Sequence, residues 1–200
     1  MRRVQLGLWI LAGIAAIAGL VLALNPPEPG SKAPASRELP IASIGGPFTL
    51  TGSDGRPFAS SRLAGKPVAI FFGFTHCPDV CPTTLARLAK LRRQLGKGDD
   101  GFAIVFITVD PERDKPVDVG RYAALFGTPV TGLTGSLADI ERVKKQYGVH
   151  SEKAPQPGGD YSVNHTAAVF LIGRDGKFVA TIAPEEPDTT ALDKLKRISS

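Results

Sequence analysis

Sulfur is scarce in this chain, with two cysteines and one methionine among 200 residues. Two thiols allow one disulfide at most, which excludes a cystine-stapled scaffold. A chain of this length can bury a core large enough to fold without one. Blocks of one charge sign are also missing. The net charge of +5 is spread over 24 basic and 19 acidic residues, and no basic run carries interleaved aromatics. No nucleic-acid partner is expected. The balance of 42% hydrophobic and 22% charged residues excludes a disordered polyelectrolyte and suits one globular domain with an appendage.

One stretch lacks polarity almost completely. Residues 4–24, VQLGLWILAGIAAIAGLVLAL, contain Gln5 as the one clearly polar side chain. As a helix the run spans about 30 Å, the thickness of a bilayer core. A core helix would show a polar face. The following LALNPPEPG is a poor signal-peptidase site, and no cysteine stands nearby for lipidation. Residues 1–24 are therefore expected to be an uncleaved, single-pass transmembrane anchor. Arg2 and Arg3 would remain cytoplasmic. In a bacterium this places the chain in the inner membrane with its C-terminal domain in the periplasm, where thiol pairs tend to oxidise. Residues 25–40, NPPEPGSKAPASRELP, hold five prolines and read as an extended tether. The folded domain is expected over residues 41–200.

No internal repeat interrupts that domain. Phe48 and Leu50 alternate with polar residues before the turn Asp54-Gly55, which predicts a hairpin completed by Phe58. The apolar run 67–74, PVAIFFGF, reads as a central buried strand, and 102–110, FAIVFITVD, as a second. Between them Leu85, Leu88, Leu91 and Leu95 mark one face of a helix that Gly96 can end. Helices are predicted over 116–126, 136–147 and 188–198, and two further strands around the turn Arg174-Asp175-Gly176-Lys177. The order is hairpin, β, α, β, α, α, β, β, α. It implies an α/β domain with a largely parallel sheet covered on both faces, to which the late hairpin adds antiparallel strands, in the order of a thioredoxin-like fold with an N-terminal β-hairpin.

Both cysteines, Cys77 and Cys81, fall in FFGFTHCPDVCPTT, residues 71–84. Pro82 suits the first helical position, since its missing N–H has no partner there. Cys81 is then expected as the N-cap, facing the positive end of the helix, which favours its thiolate. Three intervening residues let both sulfurs turn to one point, as a disulfide or as a grip on one metal ion. A purely stabilising disulfide closing so short a loop contributes at most about 2 kcal/mol. The end of a central strand is, moreover, where open α/β sheets bind ligands.

Taken with TVDPERD (108–114) and YSVNHTAAVFLI (161–172), this stretch resembles the Sco family, also called SenC or PrrC, of copper-binding assembly factors. The resemblance covers about residues 40–198 and the anchor-and-tether layout. It implies a thioredoxin-like fold and copper held by Cys77, Cys81 and His165. One departure is Asn164, where many members carry an acidic residue. The donor chemistry agrees, because two thiolates and an imidazole suit Cu(I) in a trigonal site and can also hold Cu(II). Zinc usually takes a fourth ligand, which Asp79 or Asp110 would supply. Of the other histidines, His76 adjoins Cys77 but points the opposite way in an extended segment, and His150 reads as a surface residue. His165 is expected to open an antiparallel strand beside the cysteine loop. Asp110 and Asp114 should border the same crevice. With Asp79 they are candidates for positioning the ligands or docking a partner, against a plain role in turns and caps. The stretch SEKAPQPGGDYSVNH reads as a long loop before His165, either a partner-facing flap or ordinary exposed chain.

The resemblance implies a metallochaperone that delivers copper to the CuA centre on subunit II of cytochrome c oxidase, a carrier without turnover. The competing reading is a thiol–disulfide oxidoreductase that keeps the cysteines of that centre reduced. Against it, the spacing is C-x3-C instead of C-x-x-C, and His165-Thr166 occupies the segment where thioredoxins carry a proline. Only a reduced pair can bind copper. The carrier reading therefore requires a periplasmic thiol reductant as well as a copper donor.

Overall fold

The structure, a computed structural model, describes residues 44–200. The expected anchor (1–24) and tether (25–40) lie outside the described residues, among which no helix is long and apolar enough to cross a membrane.

The N-terminal hairpin forms as predicted. Strands β1 (Thr49–Gly52) and β2 (Pro57–Ala59) pair antiparallel with Leu50 opposite Phe58. The turn is closed by Gly55 N–H donating to Gly52 O at 2.9 Å, with Gly55 in the left-handed region at φ 75°. Strand β3 (Val68–Gly73) is buried along its whole length. It pairs parallel with β4 (Ala103–Thr108) on one side and antiparallel with β8 (Val169–Ile172) on the other. Hydrogen bonding on both edges and burial on both faces explain why every residue of β3 is apolar or glycine.

Between β3 and β4 lies helix α1 (Val80–Leu95), which buries Leu85, Leu88 and Leu91 and ends at Gly96 in the left-handed conformation. Helix α2 (Pro116–Ala123) continues into a 3-10 turn, and α3 (Leu137–Tyr147) is capped by Ser136, whose hydroxyl accepts from Asp139 N at 3.1 Å. Helix α4 (Asp188–Ser199) closes the chain. Arg87 of α1 anchors it, donating to Asp188 Oδ1 at 2.8 Å and to carbonyls of the preceding turn. Tyr147 of α3 packs against Phe72 and Phe170 at centroid distances of 5.5 and 5.6 Å. Phe71 and Phe106 lie on the opposite face, with α1 and α2.

Two features depart from the sequence reading. Residues 127–135 hold a strand, β5 (Val130–Thr134), that its glycines and threonines hide. Gly132 is required there because a Cβ would come within 2.6 Å of Val119 O on α2. The sheet order is β2-β1-β5-β4-β3-β8-β9, with β9 spanning Phe178–Ile182. Only the β3–β4 and β4–β5 pairs are parallel. The sheet is mixed, not largely parallel, since hairpins extend it antiparallel at both flanks. The second departure is the stretch read as a long loop. It forms a separate two-stranded sheet of β6 (Ser151–Pro155) and β7 (Tyr161–His165). Its turn is closed by Gln156 N–H to Asp160 O at 2.8 Å, with Gly158 and Gly159 left-handed.

Candidate metal centre

Three segments converge at the C-terminal ends of β3 and β4: the cysteine loop, the loop 110–114 and the end of β7. The chain leaves β3 in a turn in which Cys77 N–H donates to Phe74 O at 3.3 Å. Asp79, with non-helical φ −139°, is the N-cap of α1, so Cys81 stands inside the first helical turn and is not the cap. Pro82 follows it there, tolerated because the first four helical N–H groups have no intrahelical partner. The free Cys81 N–H points at Cys77 Sγ, 3.4 Å away. The helix terminus thus faces the sulfur of Cys77, not that of Cys81.

Cys81 itself is fully buried against β3. A Cβ on Gly73 would come within 2.9 Å of its sulfur, so glycine makes the space for it. Burial, reinforced by the neighbouring Cys77, pushes the Cys81 thiol well above the ordinary range. The expected thiolate does not fit this place in the metal-free protein: Cys81 is desolvated, and the helix terminus that was to favour its charge faces Cys77 instead. Both cysteines are free thiols.

His165 does not open an antiparallel strand as expected. It closes β7, and β8 begins at Val169. Its Nδ1–H donates to Thr166 O at 3.0 Å, which leaves the Nε2 lone pair facing Cys81 Sγ at 3.5 Å. Burial lowers its pKa and keeps the ring neutral. The rings of Phe71 and Phe74 meet it edge-on at 6.0 and 5.9 Å. The donor atoms of Cys77, Cys81 and His165 all lie within 4.8 Å of one another. A single soft ion can be held by all three.

The three aspartates separate. Asp79 is exposed, receives only the Thr83 hydroxyl at 3.3 Å and stands apart from the donor cluster. Asp114 is completely buried and accepts from Thr75 N (2.9 Å), the Thr75 hydroxyl (2.6 Å) and the Thr108 hydroxyl (2.6 Å). It holds the root of the cysteine loop. Asp110, also buried, accepts from Arg113 Nε at 2.5 Å and from the Tyr161 hydroxyl at 3.0 Å. Both of its oxygens are engaged, so neither it nor Asp79 is placed as a fourth ligand. His76 shapes the loop, with Nδ1 3.2 Å from Thr75 Oγ1, and His150 lies on the surface. Asn164 is exposed on the face of β7 opposite His165.

Sequence reasoning missed Gly73, Thr75, Arg113 and Tyr161. Arg113 and Tyr161 lie inside the two quoted motifs. The spacing of Tyr161 and His165, four apart in a strand, places them on one face.

The chain matches a family model described as SCO1/SenC over residues 36–200. It is 34% identical over 172 residues to the mitochondrial protein SCO2 of Saccharomyces cerevisiae, covering 84% of this chain and 57% of that protein. The chain spans about half the length of four such mitochondrial relatives, from 42% to 58%, and 72% of a Stutzerimonas stutzeri protein described as a putative copper-binding protein. Among solved structures it resembles Bradyrhizobium japonicum ScoI with copper bound, at 43% identity and a TM-score of 0.70, covering 78% of this chain and 99% of that one. It also resembles BsSco, described as a member of the Sco family of cytochrome c oxidase assembly proteins with a disulfide switch. Here the identity is 27% and the TM-score 0.63, over 82% of this chain and 97% of that one.

Proposed function

Because the chain belongs to the SCO1/SenC family, we propose that it is a copper carrier for assembly of the CuA centre of cytochrome c oxidase. It is anchored in a bacterial inner membrane by residues 1–24, with residues 44–200 in the periplasm. One observation carries the reading: two thiols and a neutral imidazole present their donor atoms within 4.8 Å of one another. This donor set prefers copper to the hard cations. Copper is the cargo. On its arrival the buried Cys81 must lose its proton, while His165 is already neutral, its unprotonated Nε2 turned to Cys81. The Thr166 carbonyl holds the ring in the tautomer that ligation needs. Partners follow from the chemistry: a copper donor, a thiol reductant and the CuA-bearing subunit II as acceptor.

Thiol–disulfide exchange with those oxidase cysteines is the second reading, favoured by the adjacency of the two thiols and by the disulfide switch of BsSco. The two separate at His165, which exchange does not require. Anaerobic Cu(I) titration of the reduced full chain in detergent should give one copper per protein, and none after verified oxidation of Cys77 and Cys81. Unchanged affinity in the oxidised protein would exclude this site. A His165→Ala chain that loses copper affinity yet still supports CuA assembly at low external copper would exclude the carrier reading and leave exchange.

A further inference from the structure

The third ligand rides on a piece of structure that the main sheet does not hold. Strand β7 pairs with β6 alone. At the His165 end the hairpin is tied by Thr166 N–H to His150 O at 3.0 Å. In the middle Val163 is buried. At the far end Lys153 of β6 is bonded to Glu112 and lies 4.5 Å over the Tyr161 ring, and one other side chain binds the backbone of β7 directly. Arg113 donates from Nε to Asp110 at 2.5 Å, and from one Nη to Asp160 Oδ1 (3.0 Å) and Tyr161 O (2.9 Å). Its guanidinium lies over the Tyr161 ring at 3.7 Å. The Tyr161 hydroxyl returns to the same Asp110 at 3.0 Å. Phe74 is shared between the two groups, its ring 5.9 Å from Arg113 Cζ and 5.9 Å from the His165 ring.

We propose that Arg113 is a positioning residue for copper: clamped to buried Asp110, it fixes Tyr161 and thereby the strand register that delivers His165 Nε2 to the two sulfurs. Tyr161 and His165 share a face of β7, so a slip of one residue at Tyr161 would turn the imidazole away from Cys81. The planar fork matters as much as the charge. A lysine has three donors, but all radiate from one nitrogen and cannot span Asp110 on one side and Asp160 with the Tyr161 carbonyl on the other while lying flat on the ring. The inference rests on copper binding through His165, as proposed above.

The test is a double-mutant cycle on Cu(I) affinity of the reduced full chain, measured in competition with a chromophoric Cu(I) chelator. Arg113→Ala should weaken binding by roughly 10–100-fold, the usual loss on removing a group that orients a metal ligand, and His165→Ala by at least as much. In the His165→Ala background, Arg113→Ala should change affinity by less than about twofold, because the ligand it serves is gone. Arg113→Lys should behave nearly as Arg113→Ala, and in the metal-free Lys variant the imidazole NMR signals of His165 should shift. Additive losses, or an unchanged affinity in Arg113→Ala beside a weakened His165→Ala, overturn the proposal and leave the ligand set standing. An unchanged affinity in His165→Ala overturns the ligand set and this proposal with it. If both Arg113 variants fail to fold by circular dichroism, Arg113 is a general structural residue and the proposal fails.

Discussion

At the scale of single residues, the pair Cys77 and Cys81 shows how far a motif can be read. That their sulfurs can converge on one point was legible, since only three residues separate them after a central strand. Which of them meets the helix terminus was not. Pro82 was assigned to the first helical position, where proline is commonest, but its missing N–H is equally harmless two positions later. The shift moves Cys81 off the cap and into the core. Its raised thiol pKa has a consequence for copper uptake. At every pH below that pKa, binding must expel one proton from Cys81, whereas His165, whose pKa is lowered, contributes none near neutrality. Apparent Cu(I) affinity should therefore rise by at least about tenfold per pH unit between pH 6 and 8. Competition titrations buffered across that range check the slope, and a flat profile would mean that Cys81 binds without losing its proton. Cys77→Ser and Cys81→Ser should each abolish tight binding, while His165→Ala leaves a pair that still oxidises and reduces.

Secondary-structure elements were legible where their burial left a pattern. Strands β3 and β4 are continuous apolar runs, and α1 repeats leucine at helical spacing. By contrast, β6 carries exposed residues on both faces, and the alternation of β7 is only five residues long and follows a run of prolines and glycines, so the stretch reads as loop. Strand β5 fails for another reason: its third residue is glycine because α2 presses on it. Gly132→Ala should force the Val119 carbonyl aside and lower stability by about 1–3 kcal/mol, the usual cost of overpacking. Chemical denaturation would measure it, and a wild-type midpoint would show that α2 can shift freely. The loop joining β4 to α2 works at this scale too. Its Asp114 accepts three hydrogen bonds that root the cysteine loop. Asp114→Ala leaves the Thr75 N–H and two hydroxyls without their acceptor, and should lower the denaturation midpoint by the equivalent of about 1–3 kcal/mol. Copper affinity should fall as well. Unchanged stability would show that solvent replaces the carboxylate.

For the whole molecule, the N-terminal reading yields a direct check. If residues 1–24 are retained as an anchor, intact-mass analysis of membrane-extracted protein should return the full chain; a mature form beginning near residue 25 would show a cleaved signal instead. Fold class and the antiparallel strands of the late hairpin were legible from element order, but the antiparallel flank at β5 was not, because it depends on a strand without hydrophobic signal. The site also gives the domain a handedness of approach. Cys81 is sealed within the core, whereas Cys77 is part-exposed beside exposed Pro78 and Val80. Any visiting thiolate can therefore attack only one of the two sulfurs. Under a thiol-selective alkylating agent the reduced protein should acquire its first adduct at Cys77, and a trapped mixed disulfide with a reductant should be joined there. The same asymmetry makes Cys81 the obligatory leaving group when a Cys77–Cys81 disulfide is reduced, and under the proposed carrier role it leaves copper one way out, over Cys77.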